Sequence, residues 1–190
     1  MSQQDHNRPF QQPVIGQRVL AEHRAYNVVE LEIGMPGGRT RTKPFVRHRG
    51  AVCVLPMLET PGRSPKLVLV VNERHIVGAR LEEFPAGGID QGEGPAEAAA
   101  RELREETGYE ATSLHKLGSF YTTPGITDEL MHAFVATGLR QVGQQLEEDE
   151  ALTVSVRTLA EYEGMVDRGE ILDGKSLLAF MWARRAGYLR

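Results

Sequence analysis

Cysteine is nearly absent from this chain, which has a single one, Cys53, among 190 residues. A lone cysteine excludes an intrachain disulfide and a zinc site built from cysteines. It lies in the apolar run Ala51-Val52-Cys53-Val54-Leu55, where a small buried hydrophobe is the expected role. The fold must therefore rest on an ordinary core, and the length suffices for one well-packed domain with or without a small appendage.

Excess positive charge and long apolar runs are also missing. Lys and Arg number 22 against 26 for Asp and Glu, so the net charge is −4. This balance argues against a general nucleic-acid or anionic-membrane surface, which requires a basic field. No apolar run approaches the ~20 residues that span a bilayer, and the polar N-terminus lacks a signal-peptide core. We therefore expect a cytoplasmic protein that binds neither nucleic acid nor membranes.

The most informative stretch, residues 84–109, opens with a turn rich in proline and glycine and continues with alanine and glutamate. Gly94-Pro95 is typical of a helix start, because proline at the first helical position loses no hydrogen bond. Gly108 is typical of a helix end, where glycine adopts the left-handed conformation. Strong helix formers stand between them. The pattern predicts a loop followed by about three turns of helix.

Acidic side chains are concentrated on one face of this predicted helix. Glu102 and Glu106 are four residues apart and project from the same face, with Glu105 beside them and Arg101 placed to pair with Glu105. Like charges at this spacing are mildly destabilising unless a cation or free solvation compensates them. Paired carboxylates are ligands that suit Mg²⁺ or Mn²⁺. A solvated acidic face is the alternative interpretation.

The spacing of these residues resembles the signature of the Nudix hydrolase family. The matching positions are Gly87, Glu93 and the run Arg101-Glu102-Leu103-Arg104-Glu105-Glu106-Thr107-Gly108. One position departs from the family pattern, because Tyr109 stands where an aliphatic residue is usual, but that position packs rather than reacts. The resemblance implies an α/β fold, an α/β/α sandwich in which a mixed β-sheet lies between helices, covering residues 50–190.

The region before this domain has a different character. Residues 1–12 are polar, rich in glutamine and without periodicity, which predicts a mobile tail. Residues 13–49 contain strand-like runs at 28–33 and 40–46 and predict a small antiparallel β appendage. Two short strands alone are marginally stable in water, so this segment must pack on the main domain or on a partner chain. Together with the resemblance, it predicts a homodimer formed through the N-terminal strands.

The main domain mixes strand and helix patterns. Two nearly continuous apolar runs, residues 50–58 and 66–71, predict strands buried on both faces and joined by a connector at residues 59–65. The form of a capping box at Thr158-Leu159-Ala160-Glu161 predicts the start of a helix. The remaining predicted elements are strands at residues 116–121, 129–137 and 151–156, a polar loop at 141–149 and a last amphipathic helix at 173–187.

The resemblance also implies a chemistry, the hydrolysis of a nucleoside diphosphate linked to another moiety, with Mg²⁺ or Mn²⁺ as cofactor. By resemblance, Glu102 and Glu106 are the principal metal ligands and Glu105 is a further ligand or a supporting carboxylate. Arg101 orients these carboxylates through charge-assisted hydrogen bonds.

The loop before the helix completes the implied metal site. Gly87 lets the loop approach the metal closely, and Glu93 has a structural or water-holding role. The main-chain carbonyl of Ala86 matches a backbone metal ligand in one branch of the family, the ADP-ribose pyrophosphatase group.

That group has a further marker, a proline beyond the signature, which Pro124 matches together with Gly125. The group also places a mobile acidic loop near the metals, and residues 147–150 correspond to it. By position, Glu148 is the expected general base and Glu150 a metal ligand, with a solvated acidic loop as the alternative. Arg74 matches an arginine that meets the substrate's phosphates.

We therefore expect a Mg²⁺-dependent enzyme that splits ADP-ribose into AMP and ribose 5-phosphate. Two alternatives stay open. Another nucleoside diphosphate sugar, such as GDP-mannose, would use the same metals with a different base pocket. A non-catalytic ADP-ribose-binding sensor is disfavoured, because the chain keeps every carboxylate of the signature and has no basic helix-turn-helix. Hydrolysis of oxidised nucleotides, such as 8-oxo-nucleotides, is disfavoured by Pro124 and by the N-terminal strands.

Overall fold

The computed structural model describes residues 12–146 and 151–189. No helix in these ranges is both long and apolar enough to cross a membrane. The strands and α-helices are β1 (Val14–Glu22), β2 (Tyr26–Gly34), β3 (Thr40–His48), β4 (Ala51–Thr60), β5 (Arg63–Arg74), β6 (Ala79–Glu83), β7 (Ala86–Gly88), α1 (Pro95–Thr107), β8 (Tyr109–Tyr121), β9 (Leu130–Gln141), β10 (Leu152–Thr158), α2 (Leu159–Asp167) and α3 (Gly174–Arg185).

The described chain divides into two compact units. The N-terminal unit contains the residues up to His48 and the segment Thr123–Glu129. Its β1, β2 and β3 form an antiparallel sheet in that order, which confirms the predicted antiparallel appendage. The segment Thr123–Glu129 joins β3, where the Val46 N–H donates to the Ile126 carbonyl at 2.8 Å and the His48 N–H donates to Asp128 Oδ1 at 2.7 Å.

The second unit is built on a mixed sheet. Its main strand order is β10-β5-β4-β9-β8, with β6 paired to β5 and β7 paired to β4. The β4–β9 pair is parallel, and the other pairs are antiparallel. This confirms the predicted mixed α/β class.

Helices cover both faces of this sheet. Strands β4 and β9 alternate their buried side chains between the two faces, so each strand contributes to both cores. The α1 face is filled by Val52, Val54, Ala98, Ala99, Leu103, Phe134 and Ala136. The opposite face is larger and packs α2 and α3 through Leu159, Tyr162, Ala179, Phe180 and Ala183. Cys53 is fully buried in this second core, as its apolar setting predicts.

The structure corrects three local predictions. The connector predicted at residues 59–65 is mostly strand, because β4 and β5 pair as far as Thr60 and Arg63 and leave only a two-residue turn. Gly62 has a φ of 72°, which a glycine adopts without strain. Strand β8 begins at Tyr109, directly after α1, and not near residue 116. The loop predicted before α1 contains the short strand β7, which forms by pairing with β4.

Candidate active site

Helix α1 is fixed at both ends and along one face. At its start the Glu97 carboxylate accepts a hydrogen bond from the Gly94 N–H at 2.8 Å. At its end Gly108 has a φ of 73° and donates its N–H to the Arg104 carbonyl at 2.9 Å, as the glycine pattern predicts. Ala98, Ala99 and Leu103 are fully buried against the sheet. The backbone that carries the glutamates of α1 is therefore held firmly against the sheet.

Two of these carboxylates are buried. Glu102 is 7% exposed and Glu106 is 4% exposed. Burial of a carboxylate is costly unless hydrogen bonds or a cation compensate it. A simple solvated acidic face would leave both side chains in water, so the structure contradicts that alternative for this pair.

Strand β7 lies directly against the two buried carboxylates. The Ala86 N–H donates to Glu106 Oε2 at 3.0 Å. A Cβ atom at Gly87 would overlap the carboxylate of Glu102, so any larger residue here would force that carboxylate to move. Pairing of Ala86 with Cys53 and of Gly87 with Val52 keeps β7 in place. The structure thus brings together Ala86, Gly87, Glu102 and Glu106.

Arg101 connects the acidic residues around this pair. Its guanidinium donates twice to Glu93, at 3.0 and 2.9 Å, and also to Glu102 Oε1 at 2.7 Å. It also reaches Glu105 Oε2 at 3.2 Å, which is the pairing expected from the i, i+4 spacing, and the Gly88 carbonyl at 2.9 Å. The hydrogen bonds to Glu93 and the charge of Glu102 raise the pKa of Arg101, while its guanidinium holds the pKa of Glu93 below its ordinary value. The cation is therefore permanently charged at the centre of three carboxylates.

The segment after β9 closes the C-terminal end of α1. The Gly108 carbonyl accepts from the N–H groups of Val142 and Gly143, at 2.8 and 3.1 Å. The Gln145 N–H donates to the Glu105 carbonyl at 3.1 Å, and Gln144 Nε2 donates to the Glu106 carbonyl at 2.5 Å. Sequence reasoning missed these contacts, because no local pattern at residues 142–145 indicates them. The predicted residues Glu148 and Glu150 lie outside the described residues.

Arg74, predicted to meet phosphates, forms an ion pair within the protein. Its guanidinium donates to both oxygens of Glu83, at 2.8 and 2.6 Å. Glu83 is 1% exposed and also accepts from Lys175 Nζ at 2.6 Å. Burial alone would raise the pKa of Glu83, but the bonds from Arg74 and Lys175 hold it below its ordinary value.

The start of α3 joins this second acidic group to the chain that leads into β7. Asp173 accepts from Lys175 Nζ at 2.9 Å and from the Ser176 N–H at 3.0 Å, as an N-cap. Ser176 Oγ accepts from the Phe84 N–H at 2.8 Å, two residues before Ala86. Residues 83 and 175 are 92 positions apart, so no local sequence pattern could have paired them.

The other two predicted substrate residues, Pro124 and Gly125, belong to the N-terminal unit. There the Ile126 and Thr127 N–H groups donate to the Thr123 carbonyl at 2.9 and 3.0 Å, which closes the turn containing both residues.

The donor atoms beside α1 suit a hard divalent cation. No group of three or more His, Cys, Asp or Glu side chains is arranged to hold a metal within residues 12–146 and 151–189. Mg²⁺, however, keeps several waters and binds proteins through one or two carboxylates. The Glu102 and Glu106 carboxylates meet that requirement, and the glycine at position 87 leaves them room. Burial raises the pKa of the Cys53 thiol to about 12, so a thiolate metal ligand is excluded there.

Comparison with known proteins adds to this geometry. The NUDIX domain family matches residues 47–178. An ADP-ribose pyrophosphatase of Bacillus subtilis is 33% identical over 173 residues, covering 87% of this chain and 91% of its own length. An ADP-ribose pyrophosphatase of Mycobacterium tuberculosis is 41% identical over 145 residues, covering 75% of this chain and 68% of its own length.

Another relative is named for a different substrate, and a solved structure has a similar fold. A GDP-mannose pyrophosphatase of Citrobacter koseri is 37% identical over 150 residues, 74% of this chain and 75% of its own length. A structure titled as an ADP compounds hydrolase superposes with a TM-score of 0.75 at 23% identity, covering 92% of both chains. This last likeness concerns the fold alone.

Proposed function

Because the chain belongs to the NUDIX domain family, we propose that this Nudix pyrophosphohydrolase cleaves the pyrophosphate of ADP-ribose with Mg²⁺ or Mn²⁺, giving AMP and ribose 5-phosphate. The observation that carries the proposal is the buried pair Glu102 and Glu106 on α1, packed against β7 inside the region that the family matches. Charge repulsion opposes the approach of a bare carboxylate to a phosphate, since both are anionic. A buried acidic pair is useful to such a reaction when it holds a cation.

Glu102 and Glu106, with the main-chain carbonyl of Ala86, are the groups proposed to hold the metal. A divalent cation held by these groups would neutralise phosphate oxygens and would lower the pKa of a water molecule. The support is the position of Ala86 and Gly87, which lie against the two carboxylates. Phosphoryl transfer depends mainly on positioning and electrostatics, which rigidly held carboxylates provide.

Arg101 is proposed to orient the carboxylates. Its hydrogen bonds to Glu93, Glu102 and Glu105 fix three side chains at once, and its raised pKa keeps it charged at every working pH. Glu105 is proposed as a further ligand or as a support for the other two carboxylates.

Glu148 is proposed as the general base, accepting a proton from the attacking water, and Glu150 as a further metal ligand. What supports this is the anchoring of the preceding chain. The Gln145 N–H donates to the Glu105 carbonyl in the last turn of α1, three positions before Glu148 in the sequence.

Substrate selection is proposed to involve Arg74, Pro124 and Gly125. Arg74 has 42% of its side chain exposed while it is bonded to Glu83, so a phosphate could be contacted by its outer edge. The named ADP-ribose pyrophosphatases among the relatives support the choice of ADP-ribose.

A homodimer formed through the N-terminal strands, in the cytoplasm, completes the proposal. The support is the N-terminal sheet itself, whose exposed large hydrophobic side chains are Val14, Ile15, Val19, Leu20 and Tyr26. Single apolar residues are normal on a surface, and the proposal depends on the concentration of these five in two adjacent strands. Light scattering coupled to size exclusion tests it, and a monomer of 21.1 kDa at every concentration would contradict it.

A second candidate substrate is another nucleoside diphosphate sugar, favoured by the relative named GDP-mannose pyrophosphatase. The deciding experiment incubates the protein and Mg²⁺ with ADP-ribose, GDP-mannose, NADH and nucleoside triphosphates and measures kcat/KM for each. ADP-ribose is expected among the best substrates. A preference for GDP-mannose by more than tenfold would transfer the proposal to that sugar. Hydrolysis in ¹⁸O-water then identifies the phosphorus that is attacked.

A further inference from the structure

We infer that Gln144 is a positioning residue for Glu106, holding the last turn of α1 so that the Glu106 carboxylate keeps its metal-binding orientation. The inference rests on the proposed role of Glu106 as a metal ligand. Gln144 lies outside the signature residues of α1, on the segment that follows β9.

The hydrogen bond from the Gln144 side chain satisfies one of the main-chain carbonyls at the end of α1. The last four carbonyls of a helix have no partner within the helix and must find one elsewhere. Here the Arg104 carbonyl accepts from the Gly108 N–H, and the Glu105 carbonyl accepts from the Gln145 N–H. The Glu106 carbonyl accepts from the side chain of Gln144 at 2.5 Å, in a part-buried position.

The main chain at Gln144 is itself fixed against α1. A Cβ atom at Gly108 would lie 2.7 Å from the Gln144 nitrogen and 2.8 Å from the Gly143 carbonyl carbon, so the two segments are in direct contact. The Gly108 carbonyl also accepts from Val142 and Gly143. Because the backbone at Gln144 is already ordered, only the rotamer freedom of its side chain is lost when it bonds to the Glu106 carbonyl.

Both the side chain and the main chain of Glu106 therefore have a defined partner. Its carboxylate accepts from the Ala86 N–H of β7, and its main-chain carbonyl accepts from Gln144. The first contact sets the direction of the carboxylate, and the second sets the backbone that carries it. Loss of the second contact leaves the helix folded, because Gly108 and Gln145 still close its end, but it loosens the residue that bears the ligand.

The test measures Mn²⁺ affinity by electron paramagnetic resonance of the free ion, which requires no turnover. Gln144→Met keeps the length of the side chain and removes the donor, and we expect it to weaken Mn²⁺ binding about tenfold, at the low end for residues that orient metal ligands. Gln145→Met is the matched control, since Gln145 bonds through its main-chain N–H, and its affinity should equal that of the wild type. Gln144→Lys keeps a donor and should bind Mn²⁺ within about twofold of the wild type.

The same variants separate positioning from general damage. At saturating Mg²⁺, the KM of Gln144→Met for ADP-ribose should be unchanged, and its Tm should lie only slightly below that of Gln145→Met, because water can replace the lost donor at this part-buried carbonyl. Equal Mn²⁺ affinity for the two methionine variants would overturn the inference. Equal weakening by Gln144→Met and Gln144→Lys would also overturn it, because the donor would then be irrelevant. If the wild type bound Mn²⁺ no better than Glu106→Gln, the proposed metal role itself would fail, which is a different outcome.

Discussion

The second unit contains two acidic groups that differ in their charge balance. In the first group, Glu83 and Asp173 lie with two cations, Arg74 and Lys175, so acids and bases are equal in number. In the second, Glu93, Glu102 and Glu105 all bond to the guanidinium of Arg101. Arg104 also lies 3.8 Å from Glu105, so three acids accompany two arginines. The buried Glu106 adds a further acid beside them.

This difference separates a structural group from a candidate binding group. Removal of either partner from a charge-balanced buried ion pair destabilises the fold, because the remaining charge is buried without compensation. A bound cation stabilises a buried group of carboxylates whose negative charges outnumber the neighbouring positive charges. We therefore expect substitutions in the Glu83 group to change stability and substitutions beside Arg101 to change metal binding and turnover.

Removal of one acid from the α1 group is the largest expected effect on activity. Glu106→Gln should lower kcat by about three orders of magnitude, as losses of a key electrostatic contact in an active site can. The Tm without metal should stay unchanged or rise, because one repelling charge is gone. Glu97→Gln makes the same charge change at the start of the same helix and should keep turnover near the wild-type value. Turnover of Glu106→Gln at the wild-type rate would remove Glu106 from the catalytic machinery.

Removal of one cation from the balanced group tests the opposite region. Lys175→Met leaves Glu83 paired with Arg74 alone and takes one cation from Asp173, and it should lower the free energy of unfolding by about 1.5–3 kcal/mol. Urea unfolding followed by circular dichroism measures it. The double variant with Glu83→Gln should lose less than Lys175→Met alone, because it no longer buries that charge. A loss below about 1 kcal/mol, typical of surface pairs, would show that the group is not structural.

The substitution Gly87→Ala adds one methyl group to β7 and tests whether the close packing of this strand on Glu102 affects metal binding. In Gly87→Ala the new Cβ overlaps the Glu102 carboxylate, which must move, and the Mg²⁺ concentration for half-maximal rate should rise about tenfold. Gly88→Ala is the matched control, because a Cβ there meets nothing within 4 Å. If the two variants had the same Mg²⁺ dependence, the packing of Gly87 on Glu102 would have no part in metal binding.

Acid titration gives the smallest expected effect. The pKa of Glu83 is lowered in the folded protein by its bonds to Arg74 and Lys175, which outweigh burial. A lowered pKa contributes stability that is present above the unfolded value of about 4.3 and is lost as pH falls through the folded value. The difference in unfolding free energy between the wild type and Glu83→Gln should therefore shrink as pH falls below about 4.3. A difference that stayed constant from neutral pH to pH 3 would contradict the assignment.

The sequence predicted helix α1 better than the surroundings of its carboxylates. The bounds of α1 follow from local signals, since Gly94-Pro95 and Gly108 act within one turn of each end. The pairing of Arg101 with Glu105 follows from helical spacing. The mixed sheet with helices on both faces was also predicted, from apolar runs and from the family resemblance.

Contacts between distant residues could not be predicted in this way. Strand β7 has three residues, two of them glycine, and forms only because β4 offers a pairing edge. The bond from Lys175 to Glu83 and the bond from Gln144 to Glu106 join residues that are 92 and 38 positions apart. No propensity or periodicity in a single sequence encodes such pairs.

The central claim is that surplus negative charge beside α1 holds a divalent cation for pyrophosphate hydrolysis. The most direct measurement follows ADP-ribose by ³¹P NMR while Mg²⁺ is raised from zero in the presence of the protein. We predict that AMP and ribose 5-phosphate appear together at a rate that saturates with Mg²⁺ and falls to background with EDTA. An absence of AMP at every Mg²⁺ concentration, or a rate that EDTA does not change, would contradict the claim.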